Sequence, residues 1–296
     1  MNILKALVKR NTKLFFKDKG MFFTSLITPL ILLVLYTTFL GNVYKDSLLS
    51  GVPKGIELSE KLINGYVGSQ LMSSILAVSC VTVAFCSNML SVQDKANGSI
   101  KDFTVSPLNR SVLTLSYYIS SLFSTLIICL TATAACLIYV AATGFFLSVS
   151  DILFILLDVL LLVLFGTALS SIINVFLSSQ GQISAVGTIV SSGYGFICGA
   201  YMPISQFSEG LRRVISFMPG TYGTALLRNH SMRGVFSAME NEGMPTEIIE
   251  KFKDVIDCNI YFFDKSVPIP VMYAILCATV VLLICVYILL AKKHLK

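Results

Sequence analysis

An all-α fold that crosses a membrane six times is predicted by three features of the sequence: its composition, the spacing of its charges and the lack of a two-residue alternation. Of 296 residues, 55% are hydrophobic and 13% charged, where a soluble domain carries about 25% charged residues. The charges leave neutral stretches at 20–44, 62–93, 111–150, 159–208 and 266–291. About 20 apolar residues cross a ~30 Å hydrocarbon core as a helix, so each stretch is long enough to span. None shows the alternation of a membrane β-barrel, which leaves helices as the way to satisfy the backbone in lipid.

The elements follow in order. Residues 1–19 open with an interfacial helix over 3–17, because Lys5, Lys9, Lys13 and Lys17 repeat every four positions while Ile3, Leu7 and Leu14 take another face. Spans are predicted over 21–40, 65–90, 112–144, 151–176, 183–201 and 269–290. Pro29 lies inside the first, which is read as an anchor because no small-residue cleavage site follows it. The polar run Ser178-Ser179-Gln180-Gly181-Gln182 separates the fourth span from the fifth. A long region over 203–268 precedes the sixth.

Six spans return both termini to one side. That side receives 12 Lys and Arg against three acids, the other 10 against 11. By the positive-inside rule the termini are cytoplasmic and 203–268 is extracellular, in a cell membrane. The net charge of +6 therefore encodes orientation and implies no nucleic-acid partner. Of eight cysteines, seven fall in the neutral runs with no zinc or redox spacing, and Cys258 stands in the external region, where an impermeant maleimide is expected to reach it. No phosphate-binding loop ending in Gly-Lys-Ser/Thr is present, and His230 and His294 lie outside the predicted spans, so neither ATP nor a histidine-held metal is expected on this chain.

Four groups of residues carry candidate chemistry. The first is the loop 93–110, read as a short helix from about Asp94, interrupted near Gly98, with Pro107 setting a turn before the third span. In the second, Ile204, Phe207, Leu211, Val214, Ile215 and Met218 recur at helical spacing, with Glu209 facing Arg212 and Arg213, and the helix stops before Pro219. Beyond it, Ile248, Ile249, Phe252, Val255 and Ile256 form an amphipathic pattern that Thr246 is placed to cap. Gly187, Ser191, Gly195 and Gly199 form the third group, a four-residue stripe suited to packing within the subunit, to a dimer interface or to an export path. The fourth is Asp158, an acid inside a span that requires a partner or a wet cavity. A satisfied structural acid, a substrate-cavity residue and a proton relay all fit it.

Loop 93–110 resembles the first cytoplasmic loop of type-2 ABC transporter permeases, with Asp94, Lys95, Gly98, Ser99, Ile100, Ser106, Pro107 and Arg110 in the family's order and Asp102 inside the motif. Ala96 stands where a second acid is common. Pro203, Pro219, Tyr222 and Arg228 are similarly placed to the family's re-entrant extracellular helices, while Ser208 replaces a common proline. The resemblance implies a bacterial exporter subunit whose coupling helix docks on separately encoded ATPase chains that bind ATP and Mg. It also implies pairing with a second permease subunit, identical or related, and outward movement of a drug, peptide antibiotic or lipid, as in antibiotic-resistance efflux. The alternative from another class is a proton-coupled secondary transporter using Asp158.

Overall fold

A computed structural model describes residues 3–53, 57–105, 108–263 and 265–294. In chain order the elements are α1 (Ile3–Lys17), α2 (Lys19–Leu35), a π-helical turn (Tyr36–Leu40), α3 (Gly41–Gly51), α4 (Glu60–Ala96), α5 (Ser99–Val105), α6 (Arg110–Thr143), α7 (Val149–Phe176), α8 (Gln180–Ile197), a 3₁₀ turn (Ile204–Gln206), α9 (Glu209–Ile215), α10 (Pro219–Asn241), α11 (Thr246–Val255), the two-residue strands β1 (Tyr261–Phe262) and β2 (Lys265–Ser266), and α12 (Ile269–His294).

Among the described residues five helical segments are long and apolar enough to cross a membrane: Lys19–Gly51, α4, α6, α7 and the Ile269–Ala291 part of α12. Helix α8 is not among them, because its 18 residues include two glutamines, four glycines and three serines. It ends at Ile197, where the sequence pattern suggested 201, because Gly199 takes φ +74° and turns the chain back.

The first crossing is longer than predicted. Residues 36–51 continue the helix through a π turn in which the Gly41 N–H donates to the Tyr36 carbonyl. A Cβ on Gly41 would stand 2.7 Å from that oxygen, so only glycine fits this turn. The second crossing is longer still, with 37 residues in α4. Ser59 caps it by accepting from the Leu62 N–H, and Glu242 Oε1 accepts from the Ser59 hydroxyl at 3.0 Å.

Helix α4 is the axis of the protein. In its most apolar stretch 89% of residues are buried, against 22% to 50% in the other four crossings. Helices α2, α6, α7, α8 and α10 all pack on it. Many of its inward residues are small or hydroxylated, among them Gly65, Ser69, Ser73, Ser74, Ala77 and Ser79, and such residues let helices approach closely. Gly166 of α7 shows how closely: a Cβ there would lie 2.9 Å from the Cys80 carbonyl oxygen and 3.0 Å from Val81 Cα.

A polar seam then fixes the register of three helices. Ser87 Oγ meets Ser121 Oγ at 2.7 Å and Thr125 Oγ1 at 2.8 Å, joining α4 to α6. Asn88 donates to Ser171 Oγ at 2.7 Å and to Ser170 Oγ at 3.0 Å, and Asn174 donates back to the Asn88 carbonyl at 2.9 Å, joining α4 to α7. Helix α1 lies across α6 on the stripe Leu7, Asn11 and Phe15, with its lysines outward. Helix α12 packs on α7 and α10 through Met272, Leu276 and Val280.

Replacing Gly166 by Val wedges α7 away from α4. Overpacking of this kind costs about 1–3 kcal/mol, so Gly166→Val is expected to lower the thermal midpoint of the detergent-solubilised protein by several degrees. An unchanged midpoint would show that this contact is not tight.

Candidate functional site

At the α1 end, Asp94 and Lys95 do not begin the short helix. They complete α4, which stops at Ala96 because Gly98 adopts φ +79°. Asp94 is buried, with Arg10 Nη1 at 2.7 Å and the Tyr117 hydroxyl donating to it at 2.5 Å. Lys95 Nζ donates to the carbonyls of Asn174 at 2.8 Å and Val175 at 3.1 Å, at the end of α7. A cation at a helix C-terminus satisfies orphan carbonyls and the helix dipole together. The two residues therefore tie α4 to α1, α6 and α7, and their charges are turned inward.

The short helix of loop 93–110 is α5, starting at Ser99, with Asp102 exposed on it. The Arg10 guanidinium sits 5.1 Å from the Phe103 ring centroid, so one arginine braces both α4 and α5. Ser106 and Pro107 lie outside the described residues. Asn109 caps α6 by accepting from the Ser111 N–H at 3.1 Å, and Arg110 is exposed at its start.

At the opposite end the chain forms a cap around Arg228. Pro203 precedes the 3₁₀ turn, Glu209 pairs with Arg213 at 2.5 Å on α9, and Pro219 opens α10. Arg212 is exposed beside a cavity of about 300 Å³ that Asp257 and Tyr261 also line. Tyr222 donates to the Ser216 carbonyl at 2.7 Å. Arg228 is 1% exposed; it donates to the carbonyls of Gly199 and Ile256 and lies 3.5 Å from Asp257. Asp257 in turn accepts from the Ile204 N–H at 2.6 Å. One buried guanidinium thus joins the end of α8, the 3₁₀ turn, α10 and the end of α11.

Burial pushes the Asp257 carboxyl up to about 6, against the pull of Arg228. Cys258, beside it, is 1% exposed and burial raises its thiol to about 12. The maleimide-reactive cysteine expected from sequence is therefore shielded, because α11 folds over it through Ile249 and Phe252. Thr246 is the first residue of α11, which has no side-chain cap.

Helix α10 is the largest departure from the sequence reading. It is a 23-residue helix that packs on α4, α7 and α12 and carries His230 into the interior. Asp158, fully buried, has His230 Nδ1 at 2.6 Å on one oxygen and the Tyr273 hydroxyl at 2.6 Å on the other. One turn further along α10, Arg233 Nε meets Asp151 Oδ1 at 2.7 Å, while Asp151 Oδ2 accepts from the Ser148 N–H. Two acid–base rungs, two turns apart on α7 and one turn apart on α10, therefore fasten the two helices.

Between α2 and α8 runs a groove of about 1060 Å³, from Asp18, Gln93 and Gln180 at the α1 end to Phe39 and Tyr201 at the other. The 20 or so helical residues between Gly20 and Leu40 span about 30 Å, the thickness of a bilayer core. The small-residue stripe of α8 divides along this height. Gly187 and Ser191 line the groove, with Gly187 facing Met89 of α4. Gly195 makes room for the Tyr201 ring, and the Gly199 carbonyl accepts from Arg228.

Residues 2–230 match the family model described as ABC-2 type transporter. The chain belongs to that family. No curated protein matches it. As an ABC-2 permease component it is a multi-pass membrane protein that moves cargo without itself being the catalyst. The match spans α1 to the first half of α10 and includes the Arg10–Asp94 pair, Arg228, Asp158 and His230. Asp257, Tyr273, α11 and α12 lie beyond it.

Sequence reading missed Arg10, Tyr117, His230, Tyr273 and Asp257. Arg10 stands outside the four-residue lysine repeat of α1, and that is a legible signal. Asp257 is 29 positions from Arg228 and Tyr273 is 115 from Asp158, separations at which no pattern in the sequence points to a partner.

Asp257 gives the permease a pH dependence of definite sign. Between the ordinary carboxyl value of 3.8 and about 6, the folded cap binds a proton that the unfolded cap releases. Acidifying from pH 7 to about 4.5 is therefore expected to slow hydrogen exchange in α11 once intrinsic rates are corrected. Asp257→Asn should flatten that profile, and a wild-type profile already flat would contradict it. In the interior, Asp158→Leu strands His230 and Tyr273 without their acceptor and is expected to reduce folded yield more than Asp158→Asn, which still accepts from Tyr273. Equal yields of the two variants would show the node to be dispensable.

Proposed function

We propose that this permease subunit exports an amphipathic or hydrophobic compound, a drug, peptide antibiotic or lipid, using ATP hydrolysed by separate ABC ATPase chains. The observation that carries the reading is α5. It is a short helix with exposed Asp102, set immediately after an α4 terminus that Arg10, Tyr117 and Lys95 clamp to three other helices. A push on α5 passes into α4, and α4 touches every helix around it, including both groove walls.

In this reading α5 is the coupling helix, facing the cytoplasm with both termini. Helix α8 is the sixth crossing, held beside α2 by α4 rather than by its own hydropathy, and α9 to α11 cap the extracellular side of a cell membrane. ATP and Mg bind the partner ATPases, and a second permease subunit faces the groove. The proton-coupled alternative loses support because Asp158 lies among α7, α10 and α12, away from the groove lining, with both carboxylate oxygens occupied.

The test is a charge inversion confined to the exposed knob. Asp102→Lys with Arg110→Glu is expected to abolish ATP-dependent transport in proteoliposomes containing the ATPase, with folding and insertion unchanged, and a proton ionophore should leave wild-type transport intact. Full transport by the inverted variant would remove α5 from coupling. For sidedness, a cysteine at exposed Glu247 should react with an impermeant maleimide in intact cells while Cys258 stays silent; labelling of Glu247→Cys only after permeabilisation would reverse the topology.

A further inference from the structure

The groove between α2 and α8 has a hydrogen-bonding character that its hydropathy conceals. On α8 the hydroxyls of Ser184, Thr188 and Ser192 donate to the carbonyls four residues earlier, at 3.1, 2.9 and 2.7 Å. A hydroxyl has one proton to give, so each of these oxygens turns only lone pairs toward the groove. The Tyr201 proton is likewise spent, on the Ser191 carbonyl at 3.3 Å. At the α1 end the Asp18 carboxylate caps α2, with Oδ1 accepting from the Met21 N–H at 3.1 Å, and an ionised carboxylate only accepts.

No lysine, arginine or histidine is among the described residues that line the groove, and Asp18 is the one carboxylate there. The amide donors of Gln93 and Gln180 sit at the same mouth as Asp18. The opposite wall, on α2, is largely apolar, with Ile27, Ile31, Leu35 and Phe39, and is interrupted by the hydroxyls of Thr24 and Thr28. The result is a slot about as tall as the membrane core, largely apolar on the α2 side, with the acceptor oxygens of Ser184, Thr188, Ser192 and Tyr201 beside the Ser191 hydroxyl on the other, and acidic at one mouth.

We propose that the occupant of this groove is a cationic amphiphile whose head donates hydrogen bonds, a primary or secondary ammonium or a guanidinium on an apolar body. The proposal rests on the reading of the groove as the cargo path. An N–H-bearing cation finds a charge-assisted partner in Asp18 and acceptors at each turn of α8, while its tail lies on the isoleucines of α2. A sulfate or phosphate head meets lone pairs along the same path and no cation among the lining residues to offset them.

Three photoreactive dodecyl probes with the same diazirine tail and a primary ammonium, trimethylammonium or sulfate head test this in the full-length protein in nanodiscs. Labelled peptides are read by mass spectrometry. The ammonium probe is expected to label α2 and α8 about tenfold more efficiently than the sulfate, with trimethylammonium between them. Asp18→Asn should retain the cap and narrow the gap several-fold, and Ser184→Ala with Ser192→Ala should narrow it further.

Equal labelling of α2 and α8 by ammonium and sulfate would overturn the donor preference and leave the cargo path standing. Labelling that avoids both helices with every head would overturn the path itself. So would efficient disulfide cross-linking of Ser192→Cys between two copies with concurrent loss of labelling, because the groove would then be an interface closed by a second chain.

Discussion

A helix that carries serines, threonines, asparagines and a buried aspartate cannot face lipid, and this constraint on α4 organises the molecule. Each polar group in hydrocarbon must find a partner within the protein. Ser87 and Asn88 find theirs on α6 and α7, Asp94 on α1 and α6, and Lys95 at the end of α7. The surrounding helices take up their positions because α4 needs them there. They in turn show their apolar faces outward, as exposed Phe23, Ile138 and Leu289 illustrate.

The same constraint explains how a chain with so few charges places them. Among the described residues four acids are buried, each with a basic or hydroxyl partner: Asp94 with Arg10 and Tyr117, Asp151 with Arg233, Asp158 with His230 and Tyr273, and Asp257 with Arg228. Every one joins elements remote in sequence. Removing one partner of a buried pair leaves an uncompensated charge, which costs far more than the intact pair contributes. These four nodes divide the structure into an α1 end that is clamped, a cap that is clamped, and an open groove between α2 and α8. In the proposed reading, force enters at the clamped α1 end and cargo passes along the groove.

Much of this was legible beforehand, and the failures have a common cause. Four of the predicted spans fall within helices of the structure nearly end for end, since hydropathy and length depend on the chain's own residues. The amphipathic helices α1 and α11 were readable from spacing for the same reason. The pattern from Ile204 to Met218 instead became a 3₁₀ turn followed by the seven-residue α9, with Ile204 and Phe207 before that helix and Met218 after it. Asp94 and Lys95, by contrast, were read as part of an exposed knob because charges near a glycine suggest a loop; the helix runs on because Arg10, Tyr117 and the α7 carbonyls satisfy them in place. Helix α10 was read as part of the external region because it carries Arg228, His230 and Arg233, and only the partners Asp257, just after α11, and Asp158 on α7 show that Arg228 and His230 point inward.

The sequence by itself determined an all-helical membrane protein, five helices long and apolar enough to cross the bilayer, the amphipathic helices α1 and α11 and membership of the ABC-2 type transporter family. Those properties arise from local periodicity and composition, which every residue carries regardless of what it will touch. Only the tertiary structure decided that α4 is the axis, that Asp158 belongs to His230 and Tyr273, that Arg228 holds the cap, and that α2 and α8 leave a groove whose described lining holds one carboxylate and no cation. Such facts depend on which polar groups meet across tens of residues, and in a membrane interior an unmet polar group is costly enough to dictate where a helix goes.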